Sequence, residues 1–118
     1  MPKINTAFII NDNRVQISTL SILLSRQCPS IQIIGTTNDF ELGIPELQCL
    51  QPDLIFWDIK MENTTTILEL MEKGELQIIL TAPFEMKVLK FCEEHNLKVL
   101  LHPIDPVLLA EAIETMSG

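Results

Sequence analysis

Apolar runs of four or five residues recur along the chain, and between them apolar positions return every three or four residues. Short uninterrupted runs fit strands of a sheet covered on both faces, whereas the three-to-four period fits helices with one buried side. The first run, Ala7-Phe8-Ile9-Ile10, ends in Asn11-Asp12-Asn13. Asn13 then reads as the N-cap of a helix, with Gln16 three residues on, that continues through Ile17, Leu20 and Leu24 until Pro29 stops it. Ile31, Ile33 and Ile34 alternate with Gln32 as in a half-buried edge strand, and Gly35-Thr36-Thr37-Asn38 turns the chain. The helix predicted from about Asp39 to Leu50 should be short, kinked or broken near Pro45, because proline removes an intrahelical hydrogen bond and Gly43 costs about 1 kcal/mol.

The run Leu54-Ile55-Phe56-Trp57, bounded by Pro52-Asp53 and Asp58, reads as a central strand. A loop over Ile59 to Thr64 leads into a short helix from Thr65 to Lys73, which Gly74 ends. Leu76 to Leu80 form a fourth strand closing on Thr81-Ala82-Pro83. The next helix carries Val88, Leu89 and Cys92 on one side and ends about Asn96. Leu97 to Leu101 supply a fifth strand, after which Asp105 can cap a helix whose first position is Pro106. Leu109, Ala112, Ile113 and Met116 share one face of that helix. Strand and helix patterns thus alternate without a linker, repeat or low-complexity segment. The expectation is one doubly wound α/β domain over residues 1–118, built on a parallel sheet.

Composition narrows the function. With 47% hydrophobic residues in 118, the chain can bury a core of its own. Eight Lys and Arg against 16 Asp and Glu give a net charge of -8, which argues against non-specific nucleic-acid binding by this segment. Cys28, Cys49 and Cys92 lack both paired zinc spacing and the density of a secreted disulfide scaffold, so buried or half-buried free thiols are expected. Neither a signal peptide nor a membrane span is read from the chain, and a cytoplasmic location follows as an expectation.

Asp58 is the residue on which chemistry centres. In open α/β sheets ligands gather at the carboxyl ends of strands, and both Asp58 and Asp12 are delivered there. Two such carboxylates suggest a hard-cation site. Simpler readings stand beside this one. Asp58 can be a turn-capping residue, Asp12 a first-turn acid favoured by the helix dipole, and His102 a strand-end polar group satisfied by the backbone. Trp57 should be buried beside Asp58.

An acidic pair after strand 1, Asp58 after strand 3, Thr81 after strand 4 and His102-Pro103 after strand 5 together resemble the receiver domains of two-component response regulators. The resemblance covers the whole chain. Its closest flavour, carried by Asp53 to Met61 (Asp-Leu-Ile-Phe-x-Asp-Ile-x-Met), is the group often joined to a LytTR-type DNA-binding domain. The resemblance implies a flavodoxin-like (βα)5 fold with strand order 2-1-3-4-5. It implies that Asp58 accepts a phosphoryl group from a histidine kinase. Mg2+ would be held by Asp12, Asp58 and the backbone carbonyl of Lys60, with Asn11 acting through a water. Thr81 would bond the phosphoryl oxygen, and His102 occupies the family's lysine position. The X-Pro bond at Pro103 is cis in the family.

The chain departs from that pattern at several positions, which mark the site as degenerate. Asn11 brings no charge, His102 is a conditional cation, and Val99 stands where an aromatic residue is usual. Three functions follow for comparison. The leading one is a phosphoacceptor switch whose partner surface is formed by helix 4, strand 5 and helix 5, with a twofold contact between copies through helices 4 and 5 and a carboxyl-terminal DNA-binding effector elsewhere. The second is a pseudo-receiver acting as a phosphorylation-independent interaction or dimerisation module. The third is a small flavodoxin-like enzyme, for which the chain has no Gly-rich phosphate loop or nucleophile elbow.

Overall fold

A computed structural model describes residues 3–59, 64–72 and 77–117. Five strands, β1 (Thr6–Ile10), β2 (Gln32–Thr37), β3 (Leu54–Asp58), β4 (Gln77–Ala82) and β5 (Val99–Leu101), pair in parallel in the order β2-β1-β3-β4-β5. The helices are α1 (Arg14–Gln27), α2 (Phe40–Leu50), α3 (Thr64–Glu72), α4 (Met86–Glu94) and α5 (Pro106–Ser117). This is the flavodoxin-like doubly wound architecture that the alternating pattern anticipated.

Strand alternation divides the core in two. Ala7, Ile9, Leu54, Phe56 and Ile79 point to the side covered by α1 and α5, where they meet Leu20, Leu24, Leu109, Ala112 and Ile113. Phe8, Ile10, Ile55, Trp57 and Leu80 point to the other side, against Leu47 of α2 and Val88 and Cys92 of α4. Leu109, Ala112 and Ile113 are buried and Met116 packs against them, which is the face read from their spacing. Side-chain caps start three of the helices. Asn13 Oδ1 accepts from the N–H groups of Val15 and Gln16, Asp39 Oδ1 from Glu41 and Leu42, and Asp105 Oδ1 from Val107 and Leu108.

Five expectations need correction. Gly35, Thr36 and Thr37, expected to turn the chain, belong to β2, where they pair with Phe8, Ile9 and Ile10. Helix α2 runs unbroken from Phe40 to Leu50 with Pro45 inside it. The proline sits on the exposed side, where water can satisfy the Glu41 carbonyl that loses its donor. Buried Gly43 faces inward and brings the helix close to the sheet, for a Cβ there would meet Thr37 Cγ2 at 2.9 Å and Ile10 Cδ1 at 3.3 Å. Strand β5 is shorter than expected, starting at Val99, because Asn96 adopts a positive φ of 55° and Leu97 N–H turns back to Cys92 O. Strand β4 extends to Ala82, since Thr81 and Ala82 still pair with Leu100 and Leu101. Cys49 is exposed, Cys28 half-buried and Cys92 buried, and all three thiols are free. Burial raises the pKa of Cys28 and of Cys92. The expected helix end at Gly74 and strand start at Leu76 lie outside the described residues. No helix among the described residues is long and apolar enough to cross a membrane.

Candidate functional site

The strand register assembles the site. Ile10 pairs with Trp57, so the next residues, Asn11 and Asp58, lie side by side past those positions, and Asp58 itself pairs with Thr81. Each follows a residue that faces the α2/α4 side, so alternation turns Asn11, Asp58 and Thr81 towards α1 and α5. Leu101 also packs on the α2/α4 side, and the next residue, His102, is fixed by its N–H donating to Ala82 O at 2.8 Å. The His102–Pro103 peptide bond is cis.

Two donors converge on one carboxylate oxygen. Thr81 Oγ1–H donates to Asp58 Oδ1 at 2.9 Å, and His102 Nε2 lies 3.0 Å from the same oxygen. An ionised carboxylate only accepts, so this contact requires the proton of the imidazole to reside on Nε2. Thr81 is 2% exposed, and the Asp58 and His102 side chains are 9% and 16% exposed. The pair is thus screened from bulk water without being sealed off. The backbone-satisfied reading of His102 gives way here, because its ring meets the carboxylate.

Asn11 is 4% exposed and, with Thr81, one of the polar residues buried among the described ones. Its Oδ1 accepts from Asn13 N–H at 2.9 Å, its Nδ2 donates to Gln16 Oε1 at 3.0 Å, and its own N–H donates to Thr37 O at 3.1 Å. Gln16 entered the sequence reading only as part of a helix-start signal. Its contact with Asn11 spans five residues and belongs to neither helix nor strand periodicity. Asp12 lies exposed in the loop between β1 and α1. Lys60, expected to offer its backbone carbonyl, lies outside the described residues. Trp57 is fully buried next to Asp58, tilted at 47° against Phe40 with ring centroids 5.8 Å apart, and its Nε1 has no hydrogen-bond partner among the described residues. Among the described residues no cluster of three or more His, Cys, Asp or Glu side chains is gathered for a metal. Val99 is half-buried and packs beneath the α4 side of the sheet.

Comparison with known proteins agrees with this arrangement. No family model matches the chain. It is 27% identical over 115 residues to an uncharacterized response regulatory protein of Vibrio vulnificus, covering 95% of this chain and 47% of that protein. It is 32% identical over 110 residues to the transcriptional regulatory protein BtsR of Shigella flexneri, covering 89% of this chain and 45% of BtsR. The chain therefore spans about half the length of the curated relatives it matches. In fold it superposes on the isolated REC domain of RcsB from Salmonella enterica serovar Typhimurium, solved with phosphomimetic BeF3-, with a TM-score of 0.79 and 16% identity over 97% of this chain and 88% of that one. The sheet order, the strand-end residues and the relatives that match along nearly the whole chain converge on one family: the chain belongs to the receiver domains of response regulators.

Proposed function

We propose that this receiver domain accepts a phosphoryl group on Asp58 in a two-component phosphorelay and passes the change to a partner surface. The observation that carries the reading is the convergence of Thr81 Oγ1 and His102 Nε2 on Asp58 Oδ1. A carboxylate is a modest nucleophile, and donors fixed beside it can hold a transferring phosphoryl group in line and neutralise its charge. In the transfer, a carboxylate oxygen of Asp58 forms a bond to phosphorus while the P–N bond of a phosphohistidine breaks and the departing imidazole takes a proton. Thr81 and His102 then donate to the oxygens of the new group. A phosphorylation-independent module would have no need to aim both donors at one carboxylate, and that reading is not favoured.

The donor set at the sheet edge suits Mg2+, which prefers oxygen ligands and is often held by one or two carboxylates with several waters. Asp58 and Asp12 would supply the carboxylates, Asn11 Oδ1 would accept from a metal-bound water, and Lys60 would add its carbonyl. When bound, Mg2+ supplies positive charge against the phosphoryl oxygens. With Asn11 neutral, the expected affinity is modest, and in this sense the site is degenerate.

The proposed phosphodonor is a sensor histidine kinase in the cytoplasm. The remainder of a longer protein would carry a DNA-binding effector, for which the relation to BtsR and the LytTR-like flavour of the β3 segment speak. A contact between copies through α4 and α5 is the proposed form of output. The test is addition of BeF3- with Mg2+ while the single Trp57 is followed by fluorescence. The reading expects a saturable change that Asp58→Asn abolishes. A wild-type protein that stays silent, or a response that survives Asp58→Asn, contradicts it.

A further inference from the structure

Asn13 and Gln16 have the residue types of a capping box, in which the side chain three residues into a helix reaches back to the N–H of the capping residue. Here the return runs through a third residue. Asn13 N–H donates to Asn11 Oδ1 at 2.9 Å, and Gln16 Oε1 accepts from Asn11 Nδ2 at 3.0 Å. Asn13 Oδ1 in turn accepts from the N–H groups of Val15 and Gln16 at 3.0 and 3.1 Å. The amide of a residue beside Asp58 is thereby built into the cap of α1.

At 4% exposure, the Asn11 amide depends mainly on these two neighbours for its hydrogen bonds. Turned over, the amide would set Nδ2 against Asn13 N–H, donor against donor, and Oδ1 against Gln16 Oε1, acceptor against acceptor. One orientation satisfies both neighbours. A carbonyl oxygen accepts two hydrogen bonds, so Asn13 N–H leaves Oδ1 with a second lone pair. An asparagine can thus serve a cation's hydration shell only if something prevents its NH2 end from taking that place.

We propose that Gln16 is a positioning residue of the Asp58 site: by accepting from Asn11 Nδ2 it holds the Asn11 carbonyl oxygen as the acceptor offered to a water of hydrated Mg2+. The inference rests on the Mg2+ part of the proposed function and assigns a role to a residue outside the sheet edge. Residues that orient ligands from behind are commonly worth ten- to a hundredfold in metal affinity.

The test is Mg2+ titration of wild type, Gln16→Glu and Gln16→Leu, read from backbone amide shifts at residues 11, 12 and 58, with urea denaturation of each variant alongside. Gln16→Glu keeps an acceptor for Asn11 Nδ2 and should bind Mg2+ at least as tightly as wild type. Gln16→Leu removes the acceptor and should bind about tenfold more weakly. Equal affinity of Gln16→Leu and wild type, whatever the change in stability, reduces Gln16 to a helix cap and overturns the proposal. Equal weakening in both variants overturns it too, because the acceptor would not be what matters. A wild-type protein whose amides do not respond to Mg2+ fails before any substitution is made, and then the cation reading falls together with this inference.

Discussion

Asp58 Oδ1 is the point at which two strand ends meet a third, and each donor has its own predicted effect. Thr81→Val keeps the shape of a buried side chain and deletes the hydroxyl that donates to a carboxylate at 2.9 Å. A hydrogen bond to a charged group contributes about 1.5 kcal/mol or more, so the urea midpoint should fall by a corresponding amount. An unchanged midpoint would show that this bond adds nothing to stability. At position 102 imidazole is charged only when protonated, whereas lysine carries its charge throughout the physiological range. His102→Lys puts a permanent positive charge beside the incoming phosphoryl group and should therefore raise the rate of phosphoryl incorporation from a small-molecule donor by roughly tenfold, or about 1.4 kcal/mol of the barrier. A rate at or below that of wild type would show that His102 already meets the need. At this scale the sequence was most readable where chemistry sits at strand ends. Asp58 stood out because it follows a buried run, Thr81 and His102 entered through the resemblance to receiver domains, and the structure brings the three side chains together. The Asn11–Gln16 contact was not readable, because no periodicity links a strand-end amide to a side chain in the first turn of the next helix.

At the scale of elements, Asp53 ties the starts of two strands. Its Oδ2 accepts from Asn5 N–H at 2.9 Å and Thr6 N–H at 3.1 Å, and its own N–H donates to Thr6 Oγ1. The backbone bond from Asn5, more than any other influence, lowers the Asp53 pKa below its ordinary value of 3.8. A depressed folded-state value means stability that is fully present above the ordinary value and is lost as pH falls through the lower one. Asp53→Asn should therefore be less stable than wild type at pH 7, and the gap should close as pH falls below about 4. Urea denaturation at the two extremes checks this, and a gap independent of pH would contradict it.

The glycines set a second comparison between elements. At Gly35 a Cβ would meet the Phe8 ring at 2.5 and 2.8 Å, whereas at Gly43 it would meet the ends of Thr37 and Ile10 at 2.9 and 3.3 Å. Gly43→Ala also gains about 1 kcal/mol of helix propensity, which Gly35→Ala in a strand does not. Gly35→Ala should accordingly be the more damaging change, by about 1–2 kcal/mol in urea, with overpacking as the cause. The same helix explains the main error of the sequence reading. Local rules at Gly43 and Pro45 argued for a break in α2, but the exposed placing of Pro45 and the close seat of Gly43 let packing against the sheet override them. β1 and β3 escaped such errors because four buried residues in a row admit few alternatives.

For the whole molecule, strand order and the placing of strand ends follow from the parallel doubly wound pattern, which is why the candidate residues could be assigned to one edge of the sheet before any contact was known. Output is less legible, because the chain spans about half of its curated relatives and its partner surfaces depend on what it joins. The central claim is that the edge of this sheet accepts a phosphoryl group on Asp58 even with Asn11 and His102 in place. Intact mass after incubation with acetyl phosphate or phosphoramidate and Mg2+, beside an Asp58→Asn control, tests it most directly. The account predicts an adduct of one phosphoryl group in the wild type that is absent from the control. No adduct under conditions that label an ordinary receiver, or an adduct that persists in Asp58→Asn, would contradict it.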